Sequence, residues 1–142
     1  MKTARRQARE IALQALYAWQ ISGGDPMEEA RGLEGFDKGD RAFAETLVRG
    51  VRDRVAELQP LIVPHLDRDF ARLSPVERAI LYIGAYELAH HPQTPFKVVL
   101  NEAVELGKSF GGSEGHRFIN GVLEKIAEAL RPEEVARSRK IA

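Results

Sequence analysis

Apolar residues recur along most of this chain at i, i+3, i+4 spacing, and no stretch alternates with period two for long enough to read as a strand. Thr3 is placed to cap a first helix running to about Ile21, with Ala8, Ile11, Ala12, Ala15, Leu16 and Trp19 inward, and Gly23-Gly24 ends it. Asp25-Pro-Met-Glu28 reads as a capping box with proline at the first helical position, opening a short helix. Residues 32–39 read as a loop. Asp40 caps the next helix, whose stripe is Phe43, Leu47, Val48, Val51, Val55 and Leu58, slightly weakened by Gly50. Pro60 and Pro64 interrupt that pattern, so QPLIVPHL is either a separate short helix or an irregular turn.

Ser74-Pro-Val-Glu77 is a second capping box, followed by a strongly apolar helix through Val76, Ile80, Leu81, Ile83 and Leu88 that stops at His91-Pro92. Thr94-Pro95 starts another, through Val98, Val99, Ala103, Leu106 and Phe110 to Gly111-Gly112. Ser113 or Gly115 opens the last long helix, with Phe118, Ile119, Val122, Leu123, Ile126 and Leu130 inward. Pro132 ends it, and a basic tail is expected beyond. Six or seven helices with short connections predict an all-α fold. Residues 59–73 are the weakest stretch, so an N-terminal helical half, about 1–64, is expected to meet a C-terminal half, about 65–142, without internal repeats.

A chain of 142 residues suits one domain. There are no cysteines, which removes disulfides and thiolate metal sites and leaves nothing that argues for secretion. The basic start lacks the apolar core of a signal peptide, and no apolar run approaches the ~20 residues of a membrane span, so a cytoplasmic protein is expected. Net charge is zero but uneven. Residues 1–10 carry Lys2, Arg5, Arg6 and Arg9 against Glu10. Residues 131–142 carry Arg131, Arg137, Arg139 and Lys140 against Glu133 and Glu134. Basic ends on an acidic body point to a local anionic partner.

The residues of an enzyme are missing. There is no GxGxxG, Walker loop, HExxH or GxSxG. His90 and His91 diverge by about 100° on a helix, poor metal geometry. His65 and His116 are isolated. Glu102 and Glu105 share a helix face, and read as a solvated face or partners of nearby lysines. Neither catalysis, metal nor cofactor is expected.

The stretch RRQAREIALQALYAWQ, residues 5–20, poses a different question. On a helical wheel Ala8, Ile11, Ala12, Ala15 and Trp19 cluster on one side. Lys2, Arg6, Arg9, Leu13, Tyr17 and Gln20 form a stripe that the core does not need. Arginines at a helix N-terminus oppose its dipole, at about 0.3–1 kcal/mol each, so the stripe invites a functional account. Guanidinium groups pair with phosphates, and tyrosine is a stacking platform for bases of single-stranded RNA. The competing reading is that Arg5 and Arg9 make salt bridges while Tyr17 packs under the following loop. Both remain open on these residues alone. A third possibility buries Leu13 and Tyr17 in a homodimer, which RNA or a partner would open.

RRQAREIALQALYAWQ, then ILYIGAYEL, then PFKVVLNEAVELGKSFGGSEGHRFINGVLEKIA resemble the NusB family of bacterial transcription antitermination factors across nearly the whole chain. The helix–GG–helix spacing of the last motif is the most specific part. The resemblance implies an all-helical fold of two packed subdomains. It also implies binding of boxA single-stranded RNA together with NusE, a small-subunit ribosomal protein, and assembly with other Nus factors on RNA polymerase during ribosomal RNA transcription. The same fold occurs fused to RNA cytosine methyltransferases, but no catalytic domain is expected after residue 142. By resemblance the RNA-binding residues are Lys2, Arg5, Arg6, Arg9 and Tyr17, with a second patch at Glu114, Arg117 and Phe118. Phe118 is read as stacking on a base in preference to joining the core. Glu77 matches a position near the NusE face, although its capping role also accounts for it. Gln7 stands where relatives often carry a third arginine, which suggests more reliance on the partner.

Overall fold

In the computed structural model, which describes residues 2–111 and 115–141, the described residues form eight α-helices, two short 3-10 turns and no strands. The helices are α1 (Ala4–Ser22), α2 (Pro26–Arg31), α3 (Arg41–Asp53), α4 (Val55–Ile62), α5 (Pro75–His90), α6 (Phe96–Phe110), α7 (Gly115–Leu130) and α8 (Pro132–Ile141). The expected boundary residues hold where local chemistry is strong. Thr3 Oγ1 accepts the Arg6 N–H at 3.0 Å, and Asp40 Oδ1 accepts that of Phe43 at 3.0 Å. Ser74 and Glu77 close a reciprocal capping box, each side chain accepting the other's backbone N–H at 3.1 Å. Gly23 ends α1 in the left-handed region, φ 76°, where a side chain would be strained.

Helix α5 is the axis of the molecule. Every residue from Ala79 to Leu88 is buried, because α1, α3, α4, α6 and α7 all pack against this helix. That explains its nearly continuous apolar sequence, which a helix with one solvated face does not need. Gly50 of α3 lies directly against the Tyr86 ring, so that any Cβ there would overlap it. The small residue that weakens α3 locally is what lets α3 and α5 approach.

Two expectations change and one open alternative is resolved. The helix predicted to run from Asp40 through Leu58 breaks at Arg54, and α4 then carries Pro60 inside it. The 3-10 turn Val63–His65 follows, so QPLIVPHL is mostly helix. The C-terminal segment is not a trailing tail. Pro132 sits at the first position of α8, where its missing N–H costs nothing, and Val135 is buried. Between α7 and α8, the side chain of Arg131 is largely covered, only 8% exposed. Its guanidinium donates to the carbonyls of Glu87 (3.0 Å), Leu88 (3.1 Å), His91 (2.8 Å) and Thr94 (2.6 Å), and to Glu134 Oε1 (3.1 Å). One side chain thus satisfies the carbonyl end of α5.

Candidate nucleic-acid interface

The basic stripe of α1 is divided by its packing. Tyr17 is exposed at 42% and Lys2 is also exposed. Arg9 and Leu13, expected beside them, are buried at 4% and 1%. The wheel set one core face against one solvent face. In the fold α1 is covered by α2 and α3 on one side and by α5 and α6 on another, so residues off the first apolar face meet the second. The homodimer reading therefore loses Leu13, which is packed inside its own chain. Gln20 also turns inward. Its Nε2 donates to the Pro75 carbonyl at 2.9 Å, and its Oε1 accepts from Arg78 Nε at 2.9 Å. Beside it Trp19, Phe70, Arg78 and Tyr82 line an open cleft of about 340 Å³.

Each of the four cations at the start of α1 has an acidic partner. Lys2 Nζ lies 2.8 Å from Glu10 Oε1. The Arg5 guanidinium lies over the Phe43 ring, 4.2 Å from its centre, with Asp40 at 3.7 Å. Arg6 Nε and Nη2 donate to the two carboxylate oxygens of Glu102, at 3.2 and 2.6 Å. Arg9 Nε and Nη2 grip Glu87 at 2.9 and 2.8 Å, and its Nη1 reaches Glu102 at 3.3 Å. Glu102 is therefore neither a solvated face nor a partner of lysines, as expected from sequence. It is buried and bridges two arginines, whereas Glu105 does pair with Lys108, at 3.8 Å. The hydrogen bond and charge of Glu102 raise the pKa of Arg6 above the usual arginine value.

Arg6 is the outermost member of this buried chain of charges, with a side chain 36% exposed. A guanidinium has more N–H donors than one carboxylate can engage, so Arg6 can still present donors to a phosphate while Glu102 holds it in place. Arg5 and Arg6 are thus fixed in orientation, and Arg9 serves the fold.

The second patch lies at the start of α7. Glu114 falls outside the described residues. Arg117 is exposed, and Phe118 is half-buried against the core with the Arg68 guanidinium 4.3 Å from its ring centre. Its inner face thus joins the packing, and its outer side meets an arginine that the sequence reading did not single out. Glu77 sits in the first turn of α5, its Oε1 committed to the Ser74 N–H. Its Oε2 faces the start of α7, where a Cβ built on Gly115 would lie 3.7 Å away. The end of α1, the start of α5 and the start of α7 therefore meet on one side of the molecule.

Sequence reasoning missed Glu87 and Glu102 as the counter-ions of α1. Both carry a signal. Glu87 is a lone carboxylate within an otherwise apolar run, and Glu102 shares its helical face with Val99, Ala103 and Leu106. Carboxylates in such settings are paired. Among the described residues no group of His, Asp and Glu could hold a metal ion, and no helix is long and apolar enough to cross a membrane.

The NusB family model matches residues 6–128. A transcription antitermination protein NusB from Burkholderia mallei is 50% identical over 141 residues, covering 97% of both chains. Among solved structures, NusB of T. maritima aligns with TM-score 0.84 and 29% identity over 96% of this chain and 99% of its own. A crystal structure of the antitermination factors NusB and NusE in complex with double-stranded RNA aligns with TM-score 0.79 and 30% identity, over 91% of this chain and 99% of that one.

Proposed function

The chain belongs to the NusB family, and on that premise we propose that it is a transcription antitermination factor without catalytic activity of its own. It works in the cytoplasm. It binds boxA-type single-stranded RNA together with NusE, and joins other Nus factors on RNA polymerase to keep ribosomal RNA operons transcribed. The observation that carries this reading is the half-identical antitermination relative spanning nearly the whole chain. The solved NusB–NusE–RNA assembly supports the partners.

In this mechanism Lys2, Arg5 and Arg6 contact phosphates, and Tyr17 stacks on a base. Arg117 and Glu114 work at the second patch, Arg117 on the backbone and Glu114 accepting from a base. Arg9 acts from within, by fixing α1 against α5 and α6 and so orienting Arg6 through their shared Glu102. Glu77 belongs to the side offered to NusE. A strand splayed over aromatic side chains suits unpaired bases better than a duplex, whose bases are already stacked.

The test is binding of a labelled boxA strand, with and without NusE, by the wild type and by Arg6→Ala/Tyr17→Ala. A duplex of the same sequence is the control. The double variant is expected to lose about a hundred-fold in affinity with its helical circular dichroism intact. Wild-type affinity should also fall with salt, with a logarithmic slope of about −0.7 for each phosphate neutralised. Unchanged binding in the variant, or a flat salt dependence, rejects the proposed RNA face.

A further inference from the structure

We propose that Arg68 and Phe118 form a nucleobase platform, with one unpaired base of the bound strand lying on the outer face of the Arg68 guanidinium. This rests on the reading of the chain as an RNA-binding member of its family and adds to that site a residue outside α1 and α7. Arg68 lies in the bend between the two 3-10 turns, Val63–His65 and Phe70–Arg72. Its guanidinium is held in two ways. Nε and Nη2 donate to Asp67 Oδ1 and Oδ2 at 2.7 and 3.3 Å, and Cζ lies 4.3 Å from the centre of the Phe118 ring. Even so, the side chain is 42% exposed. A flat cation with one face on an aromatic ring, one edge on a carboxylate and its other face in solvent loses little freedom when a base stacks on it.

The charges nearby select a base over a phosphate. Asp67 engages the Nε–Nη2 fork that a phosphate would take, and Glu77 is close enough to act on the Arg68 charge. An anion placed on Arg68 would meet both carboxylates. A base brings a polarisable face and no charge. Phosphate attraction is left to the flanks, where Arg117 is exposed one residue before Phe118 and Lys125 acts on Asp67. The platform also continues the α1 face. Tyr17 precedes Gln20 by less than a turn, Gln20 binds the Pro75 carbonyl, and Glu77 faces Gly115, one turn before Phe118.

The experiment measures affinity for the boxA strand across a salt series, for wild type, Arg68→Ala and Arg68→Lys, each checked for fold by thermal melting. Arg68→Ala is expected to lose on the order of ten-fold, and Arg68→Lys nearly as much, because lysine keeps the charge but has no flat face. The salt slope should stay that of wild type. Replacing the bases of the strand one at a time by abasic nucleotides should identify one position at which wild type and Arg68→Ala bind equally well. Wild-type binding by Arg68→Lys, a salt slope reduced by about one phosphate in Arg68→Ala, or a wild-type advantage that survives every abasic replacement overturns the platform alone. Failure of the wild type to bind RNA, with or without NusE, overturns the functional reading and the platform together.

Discussion

Arg9 and Arg131, from opposite ends of the chain, reach the same place, the last turn of α5, and are neutralised there by different chemistry. Arg9 takes the Glu87 carboxylate, at 2.8 and 2.9 Å. Arg131 takes the Glu87 main-chain carbonyl at 3.0 Å, with three further carbonyls around it. One is a buried ion pair, and the other is a cation held mainly by carbonyls at the negative end of a helix dipole, with the Glu134 carboxylate 3.1 Å away. The surrounding charges follow suit. Lys2, Arg5 and Arg6 lie against Glu10, Asp40 and Glu102, and Arg139 lies 2.6 Å from Glu128. Of the two segments that read as excess positive charge, the first is offset mainly by Asp40, Glu87 and Glu102 brought in from elsewhere, and the second only in part, at Arg139. An RNA face built on the first of them depends on fixed orientation as much as on net charge.

The difference between the two anchors sets the largest expected effects. Arg9→Met leaves the Glu87 carboxylate buried without its main partner, and urea unfolding should show a loss of about 3–5 kcal/mol. Arg9→Met/Glu87→Leu should recover much of it, because an apolar pair of similar volume has no charge to strand. A double variant as unstable as the single one would show that the pair's geometry, and not the uncompensated charge, is what matters. Arg131→Ala should cost about 2–3 kcal/mol, since some of the freed carbonyls can take water at the helix end. Its effect should also be local, with faster amide exchange in the segment it ties down, residues 91–96. Equal losses at the two positions would erase the distinction drawn between them.

What could be read beforehand follows the range of the interactions. Caps at Thr3, Asp40 and Ser74 and the helix from Pro75 to His90 are set by neighbours within a turn, and the sequence pattern finds them. The basic stripe was legible in part. Tyr17, Arg6 and Lys2 keep exposed surface, but Arg9 and Leu13 do not, because a wheel represents one interface and α1 has two. Glu102 and Arg68 were out of reach for another reason. Their partners lie 96 and 50 positions away in sequence, Arg6 and Phe118, and only the packing of α1 on α6 and of the 66–73 segment on α7 brings them together. Pro132 misled because proline is equally at home after one helix and at the first position of the next.

Glu102 is also where the neutralised end can be made basic. Glu102→Gln keeps an amide oxygen for Arg6 but removes the carboxylate, leaving the cluster of Arg6, Arg9, Glu87 and glutamine with an excess positive charge. Phosphate attraction at Arg6 should rise. The expected gain in affinity for the boxA strand is a few-fold at low salt, about 1 kcal/mol, fading as salt is added. Weaker binding by this variant, with its fold intact, would mean that Glu102 helps RNA binding by holding Arg6 more than it hinders by its charge.

The smallest effect is a pH dependence centred on His91, which touches both anchoring systems. Its carbonyl accepts from Arg131, and its ring packs edge-on against Phe43 and beside Tyr86. Burial lowers its pKa from the ordinary value of 6.5. Arg5, His90 and Arg9 lower it further, and Glu87 opposes them. The unfolded chain therefore takes up the proton first as pH falls. The stability that depends on a neutral His91 is complete above about pH 6.5 and declines from there until the folded state is protonated too. Melting temperature followed from pH 7.5 to pH 5 should fall, and His91→Gln should flatten that part of the curve. The same scan on Arg9→Met separates the two anchors. Without Arg9, a repulsive cation is gone and Glu87 is free to favour the imidazolium, so the acid-side decline should shrink. An unchanged decline in that variant would leave the Arg9–Glu87 pair with no part in the His91 shift, which would then rest on burial, Arg5 and His90.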